Sequence, residues 1–99
     1  MNMITDLVQT SEFQFITLAK DRFIAPALKY YGQYCNEETE FLCSLLPEDG
    51  IVMDIGANIG THTLAFARRV TNGEVWSFEP QKFLQQILCG NIALNGFTN

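Results

Sequence analysis

An apolar run, an acid and a glycine-containing loop stand next to one another in the middle of this 99-residue chain, and this stretch constrains the fold most. The run Ile51–Ile55 is apolar apart from Asp54. It is followed by Gly56, Asn58 and Gly60, residue types that tolerate positive φ angles and, for glycine, a close approach of a ligand. Helical spacing begins directly afterwards. The stretch therefore predicts a strand, a tight loop and a helix whose first N–H groups point at a bound group.

Residues 47–99 predict a strand-helix-strand-helix unit built on this stretch. A helix over 60–70 is followed by an apolar strand over 75–78 and a second helix over 81–95. Strands without alternation are typical of a parallel sheet that is covered on both faces. We accordingly expect Trp76 in the core, parallel strands and a right-handed connection between them.

Residues 1–46 form a lead to this unit, and its first ten residues are expected to fray. Alternation between residues 12 and 25 predicts a short strand pair that turns near Lys20 and Asp21, with a helix as the alternative reading. Two helical segments are then predicted, a turn over 26–31 opened by Pro26 and a helix over 36–46.

Composition and charge exclude several classes of protein. A chain that is 47% hydrophobic and 17% charged is too apolar for disorder. The formal charge is −5 and there is no basic stripe, so nucleic acid is not an expected partner. The apolar runs are too short to span a membrane, and the start of the chain has no signal-peptide pattern. We predict a soluble, cytoplasmic protein with no membrane partner.

The cysteines and the single histidine do not suggest a metal site. Cys35, Cys43 and Cys89 are odd in number and include no C-x-x-C pair. A zinc site would need closer spacing or more histidines than His62 alone. We predict small buried or half-buried thiols in a reducing cytosol, and a surface or capping position for His62.

Glu79 ends the second strand and indicates which kind of ligand the loop binds. The carboxyl ends of neighbouring parallel strands lie side by side, so Glu79 can accept hydrogen bonds from the ribose hydroxyls of a ligand at the loop. A dinucleotide loop would need glycine at positions 58 and 61, where this chain has Asn58 and Thr61. A phosphate-binding Walker loop would need a lysine, and there is none between residues 30 and 81.

Asp54, just before the loop, suits a ligand that carries an amino group better than one that carries a pyrophosphate. S-adenosylmethionine has an amino-acid end, a ribose and no phosphate, and it fits this pattern better than the alternatives. A nicotinamide-dependent oxidoreductase remains an alternative, because an acid after the second strand serves that cofactor too.

Three segments together resemble the front half of class I S-adenosylmethionine-dependent methyltransferases, and are most similar to the FkbM family. They are Asp54–Gly60 (D-I-G-A-N-I-G), Phe78–Pro80 (F-E-P) and Asn91–Gly96 (N-I-A-L-N-G). The lead around Tyr31–Tyr34 is similar as well, so the resemblance covers roughly residues 21–99. It implies a Rossmann-like α/β fold, truncated after the first strand-helix-strand-helix. It also implies a cofactor site formed by Asp54, Gly56, Ala57, Asn58, Gly60, Thr61, Glu79 and Pro80.

The resemblance also implies a function. A methyl group would pass from S-adenosylmethionine to an oxygen of a small molecule or sugar. No catalytic base can be named. Tyr34 and Glu38 could cover the cofactor, but ordinary packing and a solvated face are the expected roles. The strands that would contact an acceptor lie beyond Asn99 in the family. We therefore expect a fragment, or a piece that completes its sheet edges with another copy; the alternative is a non-catalytic binding or assembly piece.

Overall fold

The computed structural model describes residues 4–99; the part of the predicted frayed lead at residues 1–3 lies outside them. Two sheets of two strands each and four helices follow one another along the described chain. The elements in order are β1 (Thr5–Gln9), β2 (Gln14–Leu18), α1 (Ile24–Tyr31), α2 (Asn36–Ser44), β3 (Ile51–Ile55), α3 (Thr61–Arg69), β4 (Glu74–Phe78) and α4 (Lys82–Leu94).

The N-terminal strand pair is real, but it lies earlier in the chain than predicted. β1 and β2 are antiparallel, with Val8 opposite Phe15. Thr10 closes the turn: its N–H donates to the Phe13 carbonyl at 2.8 Å, and its hydroxyl oxygen accepts from the Phe13 N–H at 3.0 Å. The prediction of a frayed lead is therefore wrong from Thr5 onward, where the chain is a strand.

The prediction of a turn between strands near Lys20 and Asp21 is wrong, because Asp21 instead accepts hydrogen bonds at the start of α1. Its carboxylate accepts hydrogen bonds from the N–H groups of Phe23 and Ala25 at 3.2 and 2.6 Å, at the start of α1. An acid that accepts from the first N–H groups of a helix supplies partners they otherwise lack. Pro26 is consequently the third residue of α1 and does not open it.

The predicted strand-helix-strand-helix unit is present. β3 and β4 are parallel and in register from Ile51 beside Glu74 to Ile55 beside Phe78. α3 covers one face of this pair and contributes fully buried Leu64, with Val70 just beyond its end. α4 runs from Lys82 to Leu94, within a residue of the predicted bounds.

The other face of the pair is uncovered, which corrects the prediction of burial on both sides. We call this the open face. The Trp76 side chain is half exposed rather than in the core, and its Nε1 donates to the Glu74 carboxylate at 2.8 Å. The apolar side chains of the open face are 46–79% exposed and comprise Ile51, Met53, Ile55, Trp76 and Phe78.

Two clusters of buried apolar side chains hold the elements together. The larger joins the hairpin and α1 to the loop after β3, to α3 and to α4, and comprises Val8, Phe13, Phe15, Leu28, Ile59, Leu64, Leu84 and Ile87. The smaller lies between α2, β3 and α3 and comprises Val52, Phe66 and Val70. α2 ends at Ser44, earlier than predicted, and leaves Phe41 and Leu45 exposed.

None of the four helices between residues 4 and 99 combines the length and the apolar content needed to cross a bilayer.

Candidate functional site

The loop between β3 and α3 has the left-handed backbone that its residue types predict. Gly56, Asn58 and Gly60 have φ angles of 79°, 56° and 99°. The N–H groups of Gly56 and Ala57 both donate to the carbonyl of Phe78, at 2.8 and 3.0 Å. The loop is thereby fixed to the carboxyl end of β4, where parallel strands place ligand sites.

Gly60 has two reasons to be glycine. Its φ of 99° is one that L side chains rarely adopt, and a Cβ there would stand 2.8 Å from Cδ1 of Leu88. Its carbonyl accepts from the Leu64 N–H at 3.0 Å, which begins the hydrogen bonding of α3. Gly60 therefore lets the start of α3 lie directly on α4.

Glu79 lies against the loop, as the parallel-strand argument predicts. One of its carboxylate oxygens accepts from the Asn58 N–H at 2.9 Å, and the other accepts from the Gln81 N–H at 3.0 Å. Each carboxylate oxygen can accept two hydrogen bonds, so each still has capacity for a donor from a ligand. The role of Glu79 in holding a ribose stays a prediction, and neighbouring Pro80 is exposed beside it.

Asp54 faces the interior and not the loop surface. Its carboxylate is buried and accepts from the Thr63 hydroxyl at 2.6 Å, and that hydroxyl lies 2.8 Å from Oγ of Ser77. The network braces the first turn of α3 on both parallel strands. Sequence reasoning missed Thr63 and Ser77; the available signal was the strand register, which places Ser77 directly beside Asp54.

Thr61 and Tyr34 line a pocket on the side of α3 that faces away from β3 and β4. This pocket of about 540 Å³ lies between the hairpin turn, α1, the start of α2 and α3. Burial, and to a lesser degree neighbouring Cys35, Asp21 and Glu38, raises the pKa of Tyr34. Of the predicted cofactor residues, Thr61 is therefore the one that lines a pocket together with the hairpin, α1 and α2 of the lead.

His62 is half-buried, and its Nε2 is buried without a hydrogen-bond partner. Its ring stacks on Phe66 with 5.9 Å between centroids, and both residues line a pocket of about 340 Å³ along β3. Among the described residues, no group of three or more His, Cys, Asp or Glu side chains is placed to hold a metal ion. Cys43 is half-buried as predicted, but Cys35 and Cys89 are exposed, so the prediction of buried or half-buried thiols is wrong for these two.

Asn91 contacts the loop at Ile59, one residue after the Asn58 N–H that donates to Glu79, and sequence reasoning gave it no separate role. The side chain is fully buried, and its Nδ2 donates to the carbonyl of Ile59 at 2.8 Å. The only available signal was its place in the N-I-A-L-N-G segment.

Comparison with known proteins adds a weak sequence relative and several structural ones. No known family profile matches the chain. The "Methyltransferase sdnD" of Sordaria araneosa is 36% identical over 50 residues, which is 50% of this chain and 19% of that protein. The chain therefore spans about a fifth of the relative it matches, and membership of the FkbM family stays a prediction.

Three solved structures, one of them a methyltransferase by name, match nearly the whole chain. TYW2 of Pyrococcus horikoshii in complex with MeSAdo has a TM-score of 0.72 at 19% identity, over 95% of this chain and 33% of that one. The Pyrococcus abyssi tRNA (uracil-54, C5)-methyltransferase in complex with S-adenosyl-L-homocysteine has a TM-score of 0.69 at 13% identity, over 99% and 23%. The complex of aTrm5 with a leucine tRNA has a TM-score of 0.68 at 16% identity, over 96% and 26%. The chain thus has the fold of the class I S-adenosylmethionine-dependent methyltransferases, over a part of their length.

Proposed function

We propose that this chain is the cofactor-binding part of an S-adenosylmethionine-dependent methyltransferase. The observation that carries the proposal is the hydrogen bond of 2.9 Å between the Glu79 carboxylate and the Asn58 N–H, which joins the strand-end acid to the glycine loop. Two of the proteins that share the fold were solved with MeSAdo or S-adenosyl-L-homocysteine, as their descriptions state. The local sequence likeness to a methyltransferase points the same way.

Each residue of the proposed site has a distinct role. Glu79 uses its remaining lone pairs to accept from the ribose hydroxyls, and such charge-assisted bonds are each worth about 1.5–3 kcal/mol. The loop from Gly56 to Gly60 gives the ligand close access to the backbone, because neither glycine has a side chain. Asp54 acts indirectly, by holding Thr63 and so the direction of the first turn of α3.

The chemistry needs little from the protein beyond orientation. S-adenosylmethionine, when bound, supplies an activated methyl group on a sulfonium, and the transfer is an in-line displacement. Holding donor and acceptor in line is the protein's main contribution. We propose an oxygen of a small molecule or sugar as the acceptor and a cytoplasmic location. The formal charge of −5 supports an acceptor other than nucleic acid, since phosphate contacts need basic side chains.

Calorimetry with S-adenosylhomocysteine on the full-length protein tests the cofactor assignment. The wild type should bind, Glu79→Ala should bind at least about tenfold more weakly, and Glu79→Gln should lie between them because it keeps one acceptor oxygen. Glu74→Ala is the matched control, since Glu74 begins the strand that Glu79 follows and its carboxylate contacts only Trp76 among the described side chains. Absence of binding by the wild type, or equal affinities for wild type and Glu79→Ala, would contradict the proposal.

A further inference from the structure

Asn91 of α4 and Asn95, the residue just after the helix, dock on β2 as a neighbouring strand would. Asn95 Oδ1 accepts from the Gln14 N–H at 2.9 Å, and its Nδ2 donates to the Gln14 carbonyl at 2.8 Å. Asn91 Oδ1 accepts from the Ile16 N–H at 2.6 Å, and its Nδ2 donates to the Ile16 carbonyl at 3.1 Å. Four residues along a helix rise about 6.0 Å and two along a strand about 6.6 Å, so the two amides match the strand's repeat.

Asn91 and Asn95 each make three side-chain hydrogen bonds, and they differ in where the third one goes. The second amide hydrogen of Asn91 goes to the carbonyl of Ile59 at 2.8 Å, so both hydrogens of Nδ2 are used. The side chain is 0% exposed, and water has no access to replace any of these partners. Asn95 makes no contact of this kind with the loop, because its remaining donor bond goes to the carbonyl of Asn91 within α4.

Two side chains therefore form hydrogen bonds with adjacent residues of the loop backbone. Of the described side chains outside the loop, two hydrogen-bond its backbone: Glu79 accepts from the Asn58 N–H, and Asn91 donates to the Ile59 carbonyl. Asn58 and Gly60, on either side of Ile59, both have positive φ angles. A carbonyl that lost its partner in this buried position would turn or shift, and the two adjoining left-handed residues would turn with it.

We propose that Asn91 is a positioning residue for the cofactor loop, acting through the Ile59 carbonyl and tied by the same amide to the hairpin. This inference rests on the proposed function for its effect on cofactor affinity, but the effect on the loop itself does not. The site at the carboxyl ends of β3 and β4 thereby depends on β2, which lies 75 residues away from Asn91 in the sequence.

The full-length protein tests this with two alanine variants that differ in the third hydrogen bond they remove. Asn91→Ala and Asn95→Ala both remove a pair of hydrogen bonds to β2. Asn91→Ala also frees the Ile59 carbonyl, whereas Asn95→Ala removes a donor to the Asn91 carbonyl of α4. We expect S-adenosylhomocysteine to bind about tenfold more weakly to Asn91→Ala and within about twofold of wild type to Asn95→Ala, measured by calorimetry where both are folded. In amide NMR spectra, the signals of Asn58 and Gly60 should move in Asn91→Ala and stay in place in Asn95→Ala.

A further variant and the NMR readout keep the outcomes distinct. If Asn91→Ala does not fold, Asn91→Leu replaces it, since it fills a similar volume in this buried position and has no donor for the Ile59 carbonyl. Wild-type affinity and unmoved loop signals in the Asn91 variant would overturn the inference, as would equal losses in both asparagine variants. If the wild type itself does not bind, the proposed function fails, and the NMR comparison alone still decides the role of Asn91.

Discussion

The two faces of the parallel pair β3–β4 differ sharply although the same strands form them. Side chains alternate along a strand, so Val52 and Asp54 point to one face and Met53 and Ile55 to the other. On the covered face α3 buries the strand residues and matches the polar ones, as the hydrogen bond from Thr63 to Asp54 illustrates. On the open face five large apolar side chains are 46–79% exposed, so the more apolar of the two faces is the uncovered one.

This difference shows that the composition of a strand indicates the environment that suits it. It does not indicate which of its two faces the neighbouring elements cover. A strand such as Ile51–Ile55, apolar apart from Asp54, is typical of two-sided burial. α3 covers one of the two faces, so the local chain satisfies half of that requirement. An apolar surface of this kind is normally an interaction surface when it is left exposed.

Truncating one aliphatic side chain on each face of β3 should give the largest contrast. Val52 is 9% exposed on the covered face and packs with Phe66 and Val70, so Val52→Ala should cost about 1.5–3 kcal/mol of unfolding free energy. Ile55 is 79% exposed on the open face, so Ile55→Ala should change it by no more than about 0.5 kcal/mol. Urea unfolding measures both. Similar losses in the two variants would mean that the open face is covered in solution.

A charge placed on the open face should have a smaller effect, on association rather than stability. Because Met53 is 63% exposed among other apolar side chains, we expect copies of the 99-residue chain to associate through this face, and Met53→Lys to reduce the association. Sedimentation velocity over a range of concentrations measures the average mass. Gln85→Lys is the control, since it adds the same charge on the exposed side of α4. Equal masses for wild type and Met53→Lys at every concentration would rule this association out.

The elements from residue 51 onward could be predicted because their signals are local. Strand, loop and helix follow from apolar spacing and from the residue types at Gly56, Asn58 and Gly60, and the observed bounds agree within a few residues. The approach of Glu79 to the loop was predictable too, because parallel strands end side by side.

The remaining features depend on contacts between distant parts of the chain. The hairpin turn is set by the Thr10 side chain, and its sequence carries none of the glycine or Asn-Gly signals that mark common hairpin turns. The three partners of Asn91 come from β2 and the loop, so no local pattern reveals them. Trp76 was placed in the core because its strand is apolar, although the covering layer on its side is missing among residues 4–99.

The smallest expected effect concerns a thiol at the margin of the covered side. Cys43 packs against the cluster of Val52, Phe66 and Val70, and burial raises its pKa, although Arg68 and Arg69 act in the opposite sense. A raised pKa leaves less thiolate at a given pH, so Cys43 should react with iodoacetamide more slowly than exposed Cys89.

The pH dependence of the reaction of Cys43 with iodoacetamide should show that the pKa of this thiol is raised. The rate at Cys43 should keep rising with pH above the ordinary range of a cysteine, and the folded chain should lose a small part of its stability there, because it holds that proton more tightly than the unfolded chain does. Peptide mapping by mass spectrometry measures both cysteines in one sample, and denaturant provides the control, since unfolding should make their rates similar. Equal rates in the native chain would show that α2 does not cover this edge of β3 closely enough to exclude solvent from the thiol.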